Sequence, residues 1–136
     1  MRVVGCYLQY NDSFVLLLRR AHKPEGNTWA LPGGKVDHDE TDTQAMIREL
    51  FEETGYTAEA SQVELLNKHK FQTSNGEWYD YITHRVRIDV PYQMILEETA
   101  HQDYMWVTAE QADTMNNLIL GLHELFRLTG YISETT

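Results

Sequence analysis

Gly34-Lys35-Val36-Asp37-His38-Asp39-Glu40-Thr41-Asp42-Thr43-Gln44-Ala45-Met46-Ile47-Arg48-Glu49-Leu50-Phe51-Glu52-Glu53-Thr54-Gly55 is the stretch from which the rest of the chain can be placed. Residues 42–54 read as a helix, and Gly55 stands where a left-handed residue closes one. At ~100° per residue, Ile47, Leu50, Phe51 and Thr54 fall on one side, which the spacing predicts to face the core. Glu49, Glu52 and Glu53 fall together on the other side, three and four residues apart, where helix side chains are neighbours.

Three adjacent carboxylates repel one another unless a counter-charge sits among them. On most surface helices such a face is simply solvated, and Arg48 could serve only as a salt-bridge partner of Glu52. The chemical reading is a hard divalent cation. Mg²⁺ takes oxygen ligands, retains waters and shares phosphate oxygens with a substrate. It would polarise a phosphoryl oxygen and lower the pKa of a bound water. Phosphoryl transfer depends mainly on such positioning and charge neutralisation.

Working outward, residues 2–10 and 13–20 read as strands around an Asn11-Asp12 turn, and the unbroken apolar run Phe14–Leu18 suits a strand buried on both faces. Residues 21–28 read as a loop, and Trp29-Ala30-Leu31 as a short extended piece stopped by Pro32-Gly33-Gly34. Residues 62–72 and 77–90 flank Ser74-Asn75-Gly76, a strong hairpin signal. Tyr104–Val107 reads as another strand. Residues 116–128 read as the last helix, with Leu118, Leu122, Leu125 and Phe126 on its apolar stripe. The mixture gives an α/β sandwich with a mixed sheet.

The 136 residues suit one domain, residues 1–136, with 42% hydrophobic and 24% charged residues, an ordinary globular balance. A net charge of −10 argues against a nucleic-acid polymer as partner, while a small phosphorylated molecule stays compatible if a metal reverses the local field. No apolar run approaches the ~20 residues of a membrane span, no secretory leader is evident, and Cys6 is the single cysteine. A cytoplasmic location is therefore expected. Cys6 reads as inert packing.

The spacing Gly34, five residues, Glu40, seven residues, Arg48-Glu49-Leu50-Phe51-Glu52-Glu53-Thr54-Gly55 resembles the Nudix box, Gly-x5-Glu-x7-Arg-Glu-U-x-Glu-Glu-x-Gly-U, where U is a bulky aliphatic. Only the last position departs, with Tyr56 in place of an aliphatic. A chance match at eight positions is on the order of one in a billion per start point. The resemblance implies a Nudix-type α/β/α sandwich with a mixed central sheet. It also implies hydrolysis of a phosphoanhydride in a nucleoside diphosphate linked to another moiety, with Mg²⁺ as cofactor and Mn²⁺ able to substitute. The Gly33 carbonyl and the Glu49, Glu52 and Glu53 carboxylates match the family's metal ligands. Glu52 or Glu53 would orient the attacking water. Arg48 matches the arginine that holds the glutamates, and Gly34, Glu40 and Gly55 match the structural box positions. Many relatives carry a further glutamate just before the Tyr-x-Trp strand. Ala100 stands there in this chain, so Glu98 or Glu97 becomes the candidate to reach in as base.

Several features lean toward the short MutT-like members, nucleoside triphosphate pyrophosphohydrolases that give a monophosphate and pyrophosphate. Arg20 matches a phosphate-contacting arginine of that subgroup. Asn116 lies near its base-reading asparagine, although an Asn there equally suits a helix N-cap. Trp29, Trp78, Tyr79, Tyr81, Tyr104 and Trp106 could build a base-stacking wall, with Trp106 expected in the core. His101, near the rim of the expected site, could donate a hydrogen bond to phosphate, but it reads as a surface residue. The alternatives are an ADP-ribose, nucleotide-sugar or dinucleoside polyphosphate pyrophosphatase, and a non-catalytic nucleotide-binding module. A homodimer is compatible with all of them.

Overall fold

β1 (Arg2–Tyr10) and β2 (Ser13–Arg19) begin as the expected hairpin, with Asn11 in the left-handed region at φ 52°. They part at once, since only Gln9↔Phe14 and Tyr10↔Ser13 pair. The computed structural model describes residues 1–96 and 98–133, so Glu97 lies outside the described residues. In the gap opened by the parting strands, β4 (Gly33–Lys35) pairs with the first half of β1, Gly33 opposite Gly5 and Lys35 opposite Val3. Along its other edge β1 runs parallel to β6 (Trp78–Ile88), which pairs antiparallel with β5 (Glu64–Gln72). β2 is flanked by β3 (Trp29–Ala30) and β7 (His101–Val107). The seven strands form one mixed sheet of order β3-β2-β1-β6-β5, with β4 on β1 and β7 on β2.

Alternation along β1 and β2 divides the core into two layers. Val4, Cys6, Leu8, Val15 and Leu17 pack under α1 (Asp42–Thr54) with Ala45, Met46 and Leu50. Tyr7, Phe14 and Leu16 face the other way, onto α2 (Ala109–Asp113) and α3 (Leu122–Leu128), through Ala109, Ala112, Leu122, Leu125 and Phe126. The apolar run 14–17 is thus buried on both faces, and the helix-sheet-helix sandwich inferred from the sequence is the fold observed. No helix among the described residues is long and apolar enough to cross a membrane.

Helix α1 begins and ends where its sequence says. Thr41 accepts the Gln44 N–H, the Gln44 side chain accepts the Thr41 N–H, and Gly55 at φ 80° donates its own N–H to the Phe51 carbonyl. The buried face is rotated from the expected one. Ala45, Met46, Leu50 and Thr54 are buried, whereas Phe51 is 54% exposed. At ~100° per residue this turn of the stripe carries Glu49 and Glu53 inside the buried arc and leaves Arg48 and Glu52 at its edge.

Three other expectations change. Pro32-Gly33-Gly34 does not merely stop the chain, because Gly33 and Gly34 continue as β4. The last helix starts at Leu122 after Gly121 in the left-handed region, not at Asn116. Residues 117–119 are instead held extended against Trp29, which donates to the Asn117 carbonyl and accepts from the Ile119 N–H. Asn116 therefore caps no helix. Helix α2, not anticipated, is announced by a Thr108–Gln111 capping box.

Candidate active site

Gly33 and Gly34 form the floor on which the acidic helix rests. A methyl group on Gly33 would overlap the Val4 carbonyl, so the close approach of β4 to β1 needs glycine there. A methyl group on Gly34 would stand 2.5 Å from the Glu49 carboxylate. Glu53 Oε1 accepts the Gly33 N–H at 2.6 Å. Two carboxylates thus lie against one glycine pair, both with side chains only 14% exposed. Glu52 sits at the rim, 52% exposed.

Arg48 organises the cluster. Its Nε and Nη2 donate to the two oxygens of Glu40 at 2.8 Å each, and Nη2 also reaches the Lys35 carbonyl at 3.1 Å. Its Nη1 donates to Glu49 at 2.9 Å and to Glu52 at 3.4 Å. Glu40 also accepts the Asp37 N–H, and with Arg48 foremost these bonds hold its carboxyl down at about 2. The planar fork is suited to this bidentate grip.

Glu53 has no such partner. Burial pushes its carboxyl up to about 8, the Gly33 N–H and Arg19 counteract only in part, and Glu49 and Glu52 add repulsion. Burial foremost, opposed by Arg48, also raises Glu49. Opposite Glu53 stands His101, the first residue of β7, with Nε2 3.7 Å from Glu53 Oε2. His101 is buried, not on the surface as expected, because β7 starts three residues earlier than the sequence suggested.

The donor set suits a hard divalent cation: mutually repelling carboxylates, one of them buried beyond what its neighbours neutralise, beside a backbone stripped of Cβ atoms. Among the described residues, no three His, Cys, Asp or Glu side chains already converge to ion-holding distance, and Glu52 is the one turned outward.

On the far side of the glycines opens a cavity of about 560 Å³, room for a nucleotide. Gly33, Gly34, Lys35 and Arg19 line one part, and Phe71, Tyr79 and Tyr81 supply an aromatic wall. The 72–77 hairpin and the 119–122 segment close it. Arg19 belongs to this cavity and its charge reaches Glu53, so it stands between the two parts of the site.

The remaining expected residues lie elsewhere. Arg20 is not among the lining residues. Its Nε donates to the Glu98 carbonyl and its N–H to the Ala100 carbonyl, which fastens the turn preceding β7. The alternation that puts Arg19 in the cavity turns Arg20 away. Glu98 is exposed on that turn. Asn116 is exposed and lines no part of the cavity. Of the candidate stacking residues, Tyr79 and Tyr81 reach it, while Trp29 is buried in the core, Trp78 is 62% exposed and Trp106 packs half-buried near α1. Arg19, Lys35 and Phe71 were missed. Only the pairing of distant strands brings them together, although the Arg19-Arg20 repeat was a visible signal.

Comparison with known proteins bears on the same region. The family model for the NUDIX domain matches residues 1–126. The CTP pyrophosphohydrolase of Escherichia coli is 31% identical over 113 residues, which are 82% of this chain and 78% of that protein. A Caenorhabditis elegans protein described as nudix hydrolase 1 is 40% identical over 73 residues, 54% of this chain but only 19% of the larger protein. Among solved structures, the MutT protein from Methanosarcina mazei superposes with a TM-score of 0.82 at 24% identity, covering 96% of this chain and 92% of that one, a likeness of fold.

Proposed function

Because the chain belongs to the NUDIX domain family, we propose that it is a Mg²⁺-dependent hydrolase that cleaves a nucleoside triphosphate into a monophosphate and pyrophosphate. One observation carries the reading. The glycine pair that receives Glu49 and Glu53 is also the wall of a nucleotide-sized, aromatic-lined cavity with Arg19 and Lys35 beside it. Acidic and basic groups thus share one partition, as a metal-neutralised polyphosphate requires.

Glu49, Glu52, Glu53 and the Gly33 carbonyl would hold the ion. When bound, it supplies charge neutralisation on the phosphoryl oxygens and acidifies water. Arg48, fixed by Glu40, holds Glu49 and Glu52 in place. Arg19 and Lys35 receive the phosphate chain, and Tyr79, Tyr81 and Phe71 receive the nucleoside. Water adds to phosphorus as the bridging P–O bond breaks, and Glu52, the solvent-facing carboxylate of the set, takes the water proton. Glu98, on the turn clasped by Arg20, is the second candidate for that proton. The binding roles matched from the family for Arg20 and Asn116 find no support in their placement outside the cavity.

A panel of nucleoside triphosphates, ADP-ribose, nucleotide sugars and dinucleoside polyphosphates, assayed with and without Mg²⁺ and read for pyrophosphate against phosphate, tests this. Pyrophosphate from a triphosphate, abolished by chelator, is the expected result. Turnover of ADP-ribose with every triphosphate refused would reject it in favour of the alternative substrate class. A Glu52→Gln variant with undiminished hydrolysis would remove Glu52 from its assigned role.

A further inference from the structure

The Tyr81 ring of β6 lies across Gly5 of β1. A methyl group on Gly5 would overlap the Tyr81 hydroxyl and stand 2.5 Å from the ring carbon that bears it, so a residue without Cβ is what lets the ring lie down along the sheet. Tyr81 pairs with Val3, whereas Gly5 is two residues further along β1 and opposite Gly33. The phenol therefore leans from its own strand toward the glycine pair that receives Glu49 and Glu53. Its ring meets Phe71 edge to face, with centroids 5.9 Å apart. The side chain is half-buried and lines the cavity, and its hydroxyl makes no hydrogen bond among the described residues. Burial foremost, with repulsion from Tyr79, Cys6 and Glu53, pushes the phenol above its ordinary range, so the hydroxyl stays protonated and remains a donor. A donor placed this way is completed by what enters the cavity.

Its position narrows what that is. On one side stand Phe71 and Tyr79, the aromatic wall, and on the other Gly33, Gly34, Lys35 and Arg19, all lining the same cavity. What joins a nucleoside to a polyphosphate chain is its first phosphate. A phosphoryl oxygen is anionic and only accepts, and a hydrogen bond to a charged acceptor is roughly twice as strong as one between neutral groups. Resting on the nucleotide reading given above, we propose that the Tyr81 hydroxyl donates to the phosphate attached directly to the nucleoside, with Gly5 as the residue that permits the contact. The contact reads neither the base nor the sugar hydroxyls. It fixes the junction between nucleoside and phosphate chain, and the monophosphate keeps it after cleavage.

Calorimetry with AMP, GMP, CMP and UMP, and with the matching dideoxynucleoside monophosphates, tests this in the presence of Mg²⁺. Tyr81→Phe keeps the ring and removes the hydroxyl. It is expected to weaken every monophosphate that the wild type binds by about tenfold, as loss of a hydrogen bond to a charged group does, and equally for the ribose and dideoxy forms. Unchanged affinity overturns the inference. So does a loss confined to one base, or one that disappears with the dideoxy sugar, since the hydroxyl would then serve the base or the ribose. A wild-type protein that binds none of the monophosphates overturns it as well. Gly5→Ala pushes the hydroxyl aside by another route and should give a similar loss, with little more on adding Tyr81→Phe; fully additive losses overturn the inference. Should Gly5→Ala fail to fold by thermal melting, Tyr81→Phe decides alone. None of these readings needs turnover. Hydrolysis of a triphosphate with unchanged binding in Tyr81→Phe therefore removes this inference alone, and the expected binding loss without hydrolysis of any triphosphate removes the hydrolase reading alone.

Discussion

The two neighbouring glycines do different work, and their substitutions should separate accordingly. At Gly33 an added methyl meets the Val4 backbone, which cannot yield without breaking the β1–β4 pairing. At Gly34 it meets the end of the Glu49 side chain, which can swing away. Gly33→Ala is expected to lower thermal stability sharply, by about 2 kcal/mol or more, as overpacking against backbone does. Gly34→Ala should cost less stability yet weaken divalent-ion affinity about tenfold, read by calorimetric titration with Mn²⁺. Glu53 gives a prediction in pH. Its folded carboxyl is raised from 4.5 to about 8 by burial. The protonated form therefore favours folding, a contribution fully present below the unfolded value and lost as pH rises through about 8. Chelator-treated protein should melt at progressively lower temperature from pH 6 to pH 9, and Glu53→Gln should flatten that fall.

At the scale of elements, α1 was read correctly in extent because everything that bounds it is local: the Thr41–Gln44 box, the absence of a breaker between, and Gly55. Thr41→Ala should cost about 1 kcal/mol by chemical denaturation. Which face it buries was not local, and Phe51 marks the difference. Leu50→Ala is expected to cost about 2–5 kcal/mol. Phe51→Ala should stay within about 0.5 kcal/mol, as exposed positions do, and the reverse ranking would restore the face inferred from periodicity. The same distinction explains the errors. Residues 117–119 look helical in isolation, but Trp29, nearly ninety residues earlier, recruits them into extended pairing. β4 is too short to read as a strand until β1 supplies its partner. His101 looked like a polar surface residue because the segment before Tyr104 shows no apolar alternation, yet β7 extends back through it to meet Arg19. Local chemistry was legible in the sequence, whereas register between distant segments was not.

Across the whole molecule, a net charge of −10 makes the apo protein self-repelling. A divalent ion bound at the glutamate cluster should then stabilise the fold by mass action, about 2.7 kcal/mol at a hundredfold excess over its dissociation constant. Melting with Mg²⁺ and with NaCl of equal ionic strength separates specific binding from screening. The Mg²⁺ increment should vanish in a Glu49→Gln, Glu53→Gln variant, and an equal rise in NaCl would reassign it to screening.

The parallel pairing of β1 with β6 joins Arg2 to Asp80 and Tyr10 to Ile88. β1 leaves the ribosome about seventy residues ahead of β6 and must therefore wait for it before that long edge is covered. Until then the apolar residues of β1, and the helix carrying the glutamates, have only the short pairings with β2 and β4 on which to settle. A nascent fragment ending after the acidic helix would be a client for chaperones, with its glutamates unplaced, and competence would arrive only once β6 has been made.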